Sequence, residues 1–310
     1  MPNDLPVLGS LLPELTPGTA EFAIATAVLA YATGDAFGVA YEFEALVSKP
    51  VPKSMLGKDD WPAGGVSDDT LLSLITISCL DAADSAQAAD DFKQKLKIAA
   101  PHLRGLGPTT RHALGMHVEE REVGIIGVTN GGMMRTALLS LGFDEKNSEV
   151  RQDWCRALCA ATHEKPEALI AALLMAEIFA SVLANSDWNI NDALADARQI
   201  VGDSVDEINL QLDGAVDFKT DPAGVSLNPI ETLLAVSSIV RRSKTVWDAY
   251  EYSICAGGDT DTLAALSGSL MALKNPMSFY ELDFITEVNW QEIPEIKNAI
   301  ELLIENRVKK

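Results

Sequence analysis

The sequence is short of several features that would settle its class at once. Its four cysteines, Cys79, Cys155, Cys159 and Cys255, lie in apolar surroundings with no CxxC pair, which speaks against a zinc site or disulfide framework and for reduced core thiols. Basic residues are scarce: 24 Lys and Arg face 45 Asp and Glu, a formal charge of −21. Such a chain repels polyanions, and no local basic patch stands out, so binding along a nucleic-acid backbone is not expected. No apolar run reads as a membrane span, and the N-terminus MPNDLPVLGSLLPELTPG lacks the basic, apolar and small-residue order of an export signal. The expectation is a soluble cytoplasmic protein without a membrane role, and a monomer. Linkers, internal repeats and low-complexity tracts are also missing, so residues 1–310 read as a single domain.

What is present is helix. Alanine and leucine recur at three- and four-residue spacing and strict alternation is rare, so the fold class expected is all-α, a compact multi-helix orthogonal bundle. An apolar helix covers residues 18–33 and leads into GDAFGVAYEFEA, where Gly34 and Gly38 permit a turn or a close backbone approach. A second apolar helix starts near Ser67. Gly105-Leu-Gly-Pro-Thr-Thr-Arg111 is a loop feeding a helix with Pro108 in its first turn. Helices follow the Asn130-Gly131-Gly132 loop and cover 151–161, 165–184, 228–241, 244–255 and 263–273. The acidic stretch 185–222 reads as solvated surface helices.

Two short motifs carry more acid than structure requires. Ser67-Asp68-Asp69-Thr70 opens one apolar helix and Gly257-Gly-Asp-Thr-Asp-Thr262 opens another. A helix N-terminus needs one capping oxygen, and one acidic residue would suffice for the dipole. If the two termini face each other, four carboxylates and several hydroxyls meet, a costly cluster unless cations fill it. An all-oxygen set suits magnesium, manganese or calcium, and its ligand count suits two ions better than one.

In these motifs, and in their order, the sequence resembles the ADP-ribosylglycohydrolases, including the dinitrogenase-reductase-activating glycohydrolases. The resemblance spans roughly residues 22 to 273. It rests on GDAFGVAYEF, SDDT, NGGMMR from Asn130 to Arg135, Thr162-His163, and GGDTDT running into LAALSG; GLGPTTR is similar to a further family loop. Ser67 stands where threonine is common, and either hydroxyl can bind a metal. After Ala272 the family often continues with glycine and alanine, whereas this chain has Leu273-Lys274-Asn275-Pro276.

The resemblance implies a central dinuclear site with two Mg2+ or Mn2+ ions held by Ser67, Asp68, Asp69, Asp259, Asp261 and Thr262. It implies catalytic roles for Glu42, Asp68 and Asp261, with Glu42 on a loop over the metals, and substrate contacts from Asn130, Gly131, Gly132, Met133 and His163. The expected reaction is hydrolysis of the N- or O-glycosidic bond of an ADP-ribose conjugate, small or carried on an ADP-ribosylated protein. The bond breaks through an oxocarbenium-like transition state, for which the ions would orient ribose hydroxyls and a water. Tyr41, Phe43 and Trp154 are candidate stacking partners for adenine. Two other readings remain: a catalytically silent binding or structural protein on the same fold, and a hydrolase of a different nucleoside-linked glycoside. A calcium buffer is disfavoured because no EF-hand loop is present.

Overall fold

The structure is a computed structural model that describes residues 15–59, 61–185, 188–202, 218 and 221–309. Helices follow one another along the chain: α1 (Ala20–Gly38), α2 (Asp68–Ile77), α3 (Ser85–Ala99), α4 (Pro108–Ala113), α5 (Gly131–Ala137), α6 (Ser148–Ala160), α7 (Pro166–Ala184), α8 (Ile190–Val201), α9 (Pro229–Arg242), α10 (Val246–Ala256), α11 (Thr260–Lys274) and α12 (Ile296–Lys309). Among the described residues the β-pairing is limited to two isolated bridges, Lys58 with Trp61 and Val225 with Gly258. The fold is all-α.

Its axis is an antiparallel pair, α1 against α11. The two backbones touch because Gly34 and Gly38 have no Cβ: one built on Gly34 would stand 2.5 Å from the carbonyl oxygen of Ala264, and one on Gly38 2.5 Å from Cα of Asp261. Both glycines therefore serve close approach, and no turn forms there; α1 runs unbroken to Gly38. The contact sets the C-terminal end of α1, with Asp35, beside the first turn of α11, with Asp261. Thr19 caps the other end of α1, its hydroxyl accepting from Phe22 N. On the flank, Gly268 of α11 leaves room for the ring of Tyr250 of α10, whose hydroxyl donates to Ala30 O at 2.6 Å.

Two helices match a membrane span in length and hydropathy, contrary to expectation: residues 20–41 and α7. Their most apolar windows are 100% and 72% buried inside the protein, the position of core helices apolar on nearly every side. α6 is tied to α7 by a buried bidentate pair, Arg151 Nε to Glu177 Oε1 at 3.1 Å and Nη2 to Oε2 at 2.5 Å. In the acidic stretch, α8 buries Ile190, Ala193, Leu194, Ala197 and Val201 and turns its charges outward. The remaining helical expectation for that stretch falls mostly on 203–217 and 219–220, outside the described residues. All four cysteines are free thiols. Burial raises the Cys155 and Cys159 thiols above their usual range, as befits inert core residues.

Candidate active site

The capping explanation can be tested at both motifs. In α2 the cap is Ser67 alone, whose Oγ accepts from Asp69 N at 3.0 Å. Asp68 and Asp69 lie within the first turn, buried and not needed for that task. In α11 the residue at the cap position, Asp259, makes no side-chain cap bond. The carboxylates are surplus to helix capping.

The fold brings the two surplus sets together. Thr262 Oγ1 donates to Asp69 Oδ2 at 2.7 Å across 193 positions of sequence, and the Ser67 hydroxyl reaches Asp261. Glu42 joins them: ligand oxygens of Glu42, Asp259 and Asp261 all lie within 4.8 Å of one another. Glu42 is placed by the turn behind it, where Phe43 takes a positive φ of 53° and its N–H donates to Gly258 O at 2.8 Å. Lys58 covers this turn, donating to the Glu42 carbonyl and pairing with Glu44 at 3.2 Å.

Each neighbouring loop is fastened to this centre. Asp35, buried under α2, accepts from Ser67 N and Thr70 N at 3.0 Å and from the Thr70 hydroxyl at 2.6 Å. Asp68 N donates to Arg104 O, and Gly105, at φ 86°, passes so close that a Cβ would stand 2.7 Å from Asp68 Oδ1. Opposite, a strap at 224–228 joins two motifs: Val225 exchanges backbone bonds with Gly257 O and Asp259 N, and Leu227 O accepts from Asn130 N. Gly258 must be glycine, since a Cβ there would sit 2.0 Å from Val225 O and its φ is 75°.

Gathering these acids out of water has the expected electrostatic result. Burial first, then the charge of Asp261, raises Asp68, Asp69 and Asp259 well above the usual carboxylate range. The same two causes push Asp35 up to about 7 and Glu42 up to about 9, the latter partly opposed by Lys58. Ligand oxygens of Asp259 and Asp261 lie within 4.8 Å of each other, so two ionised carboxylates here repel, and a proton or a cation relieves that repulsion. The donor set, carboxylates and hydroxyls without histidine or thiolate, fits a hard divalent cation.

The cleft is lined by Glu42, Ser67, Asp68, Asp69, Asp259, Asp261 and Thr262 on one side and by Thr129, Asn130, Gly131, Met134 and His163 on the other. Of the residues expected to meet substrate, Gly131 and His163 line it directly. Asn130 lines it too, but its side-chain amide donates to Asp259 and to Thr232 Oγ1, so it braces a carboxylate. Gly132 lies behind, where a Cβ would meet Cys159 Sγ, and Met133 is fully buried in the core; the next residue on α5, Met134, faces the cleft instead. Trp154 packs on Phe143 at 5.9 Å in the core, while Tyr41 packs on Phe37 and Phe43 is exposed, none of them lining the cleft. The aromatic that does line it is Trp61.

The family model for ADP-ribosylglycohydrolase matches residues 18–301. The chain belongs to the ADP-ribosylglycohydrolase family. That places it among glycohydrolases of ADP-ribose-type substrates, metal-dependent in general. A solved structure titled "ADP-ribosylglycohydrolase-related protein complex" shares the fold at a TM-score of 0.68 and 20% identity, over 93% of this chain and 99% of that one. No curated protein matches by sequence. Among the described residues the last to line the cleft is Thr262, so the stretch after Ala272, where the sequence departs from the family pattern, contributes none of that lining.

Proposed function

We propose that this ADP-ribosylglycohydrolase is active, that it requires two Mg2+ or Mn2+ ions, and that it releases ADP-ribose by hydrolysing the glycosidic bond of an ADP-ribose conjugate, small or protein-bound. The observation that carries this reading is the convergence of Glu42, Asp68, Asp69, Asp259 and Asp261 on one cleft, with neither lysine nor arginine among the described residues that line it. Ser67, Asp68, Asp69, Asp259, Asp261 and Thr262 would hold the ions. When bound, such ions neutralise the cluster and polarise water and ribose hydroxyls.

The chain's own residues supply the rest. Asn130 and Thr232 fix the orientation of Asp259, and Asp35 fixes the turn that presents Asp68 and Asp69. Glu42, partly exposed at the cleft edge, or one of the ion-holding aspartates would take a proton from an attacking water once cations offset the charge that raises these carboxyl groups. Gly131, at the N-terminus of α5, lines the cleft with its backbone against the His163 ring, where a Cβ would stand 3.3 Å from Cε1 and Nε2. The intact set of six ligands and Glu42 favours an enzyme over a silent binding protein, and the single continuous hydrophobic core from Ala23 to Leu303 supports one domain.

Incubating the protein and Mg2+ with ADP-ribosyl-arginine, ADP-ribosyl-serine and O-acetyl-ADP-ribose, and measuring free ADP-ribose, tests the reading. Release from at least one conjugate, lost on chelation, is expected. Binding without release would favour the silent alternative.

A further inference from the structure

Behind the cleft, a line of side chains, buried except for the half-buried Thr162, runs from a cation to the two loops that form the wall facing the carboxylates. Arg135, 0% exposed at the end of α5, donates through Nη2 to Leu158 O at 2.8 Å and Cys159 O at 3.3 Å, closing the C-terminus of α6. Its guanidinium lies 4.2 Å from the ring centre of Phe92. The same Nη2 donates to Thr162 Oγ1 at 2.7 Å. Thr162 Oγ1 lies 2.7 Å from His163 Nδ1, and His163 Nε2 lies 2.9 Å from Thr129 Oγ1. Thr129 Oγ1 then donates to Thr109 Oγ1 at 2.9 Å, which also accepts from Gly127 N at 3.0 Å.

Donor counting fixes the protons. The Thr129 proton goes to Thr109 Oγ1, so at the 2.9 Å contact with Nε2 the imidazole ring is the donor. The Nδ1 of a neutral imidazole then accepts, taking the proton of Thr162 Oγ1, whose oxygen accepts from Arg135 because an arginine only donates. A charged imidazolium would set two donors against this order, and the ring is fully buried near Arg135. The glycine at 131 brings the backbone against the Cε1 and Nε2 side of the ring.

We propose that Arg135 is a positioning residue of the cleft: through Thr162 it holds His163 as the neutral Nε2–H tautomer, which aligns the Thr129 and Thr109 hydroxyls and keeps the 105–110 and 127–131 loops in fixed register. Thr129 directly precedes Asn130, the brace of Asp259, and Thr109 lies between Pro108 and Thr110, which line the cleft. The tautomer assignment stands on geometry alone; its kinetic consequence rests on the hydrolase reading.

Histidine labelled with 15N and long-range 1H–15N spectra test it, because the chain has only four histidines and His102, His112 and His117 are exposed. One histidine is expected to stay neutral from about pH 8 down to about pH 5, with its proton on Nε2. Thr162→Val should break that pattern, giving mixed tautomers, and lower kcat/KM about tenfold. Thr162→Ser, which keeps the hydroxyl, should retain both, and serves if the valine variant fails to fold. A wild-type Nδ1–H or charged ring, or an unchanged tautomer in a folded valine variant, overturns the proposal. The expected spectrum in a protein that releases no ADP-ribose from any conjugate would instead uphold the tautomer and sink the hydrolase reading.

Discussion

The Thr70 hydroxyl donates to Asp35 at 2.6 Å, and through that bond the last residue of the SDDT motif is anchored to α1. Asp35 thereby sets where Asp68 and Asp69 stand without lining the cleft itself. Thr70→Val would keep the shape and leave a buried carboxylate short of one partner. A loss of about 1.5–3 kcal/mol in denaturant unfolding is expected, together with weaker cation binding. A stability unchanged from wild type would show that Asp35 does not depend on this hydroxyl.

At Gly34 the two central helices have no space for even a methyl group. Gly34→Ala should cost about 1–3 kcal/mol or more, since the obstructing atoms are the backbone of Ala264 and Ala265 and cannot swing aside. Gly107→Ala, where nothing lies within 4 Å of the added carbon, is the control expected to stay near wild-type stability in thermal unfolding.

Asp68→Asn and Asp261→Asn keep the volume of each side chain and remove the negative charge. Release of ADP-ribose should fall by about a thousandfold or more in each, with the helical circular dichroism retained. Equal turnover by wild type and both variants would take these residues out of the reaction.

The raised carboxyl groups give the cation-free protein a definite pH response. Asp35, held up to about 7, and Glu42, up to about 9, bind protons in the folded chain that the unfolded chain releases near pH 4. The folded state thus carries the extra protons, and stability falls as pH rises from about 4 toward about 9. Cations substitute for those protons, so the rise in Tm on adding Mg2+ to chelator-treated protein should be larger near pH 8 than near pH 6. A chelated protein whose Tm climbs across that window would contradict the coupling.

The motifs and most helices were legible because surplus acid at a helix start and alanine-leucine spacing are local patterns. The partners of those motifs were not. Asp35 reads in sequence as one polar residue in an apolar helix, and only the α1–α11 contact shows that it lies under Ser67 and Thr70. Met133 and Met134 are equivalent in sequence, and only the rotation of α5 decides which faces the cleft. Trp61 and the Val225 to Leu227 strap sit in irregular loops, which periodicity cannot place. Charged faces dilute the pattern of α3 and α12, which bury little more than Ala88, Phe92 and Leu96, and Ile296, Ala299, Ile300 and Leu303. Gly34 and Gly38 allowed either a turn or a close approach, and packing chose the latter.

The most direct test of the central claim is an anomalous difference map at the manganese absorption edge from crystals grown with Mn2+. Two peaks bounded by Ser67, Asp68 and Asp69 on one side and Asp259, Asp261 and Thr262 on the other are the expected result. A cleft without an anomalous peak at saturating Mn2+, or peaks only at surface acids, would contradict it.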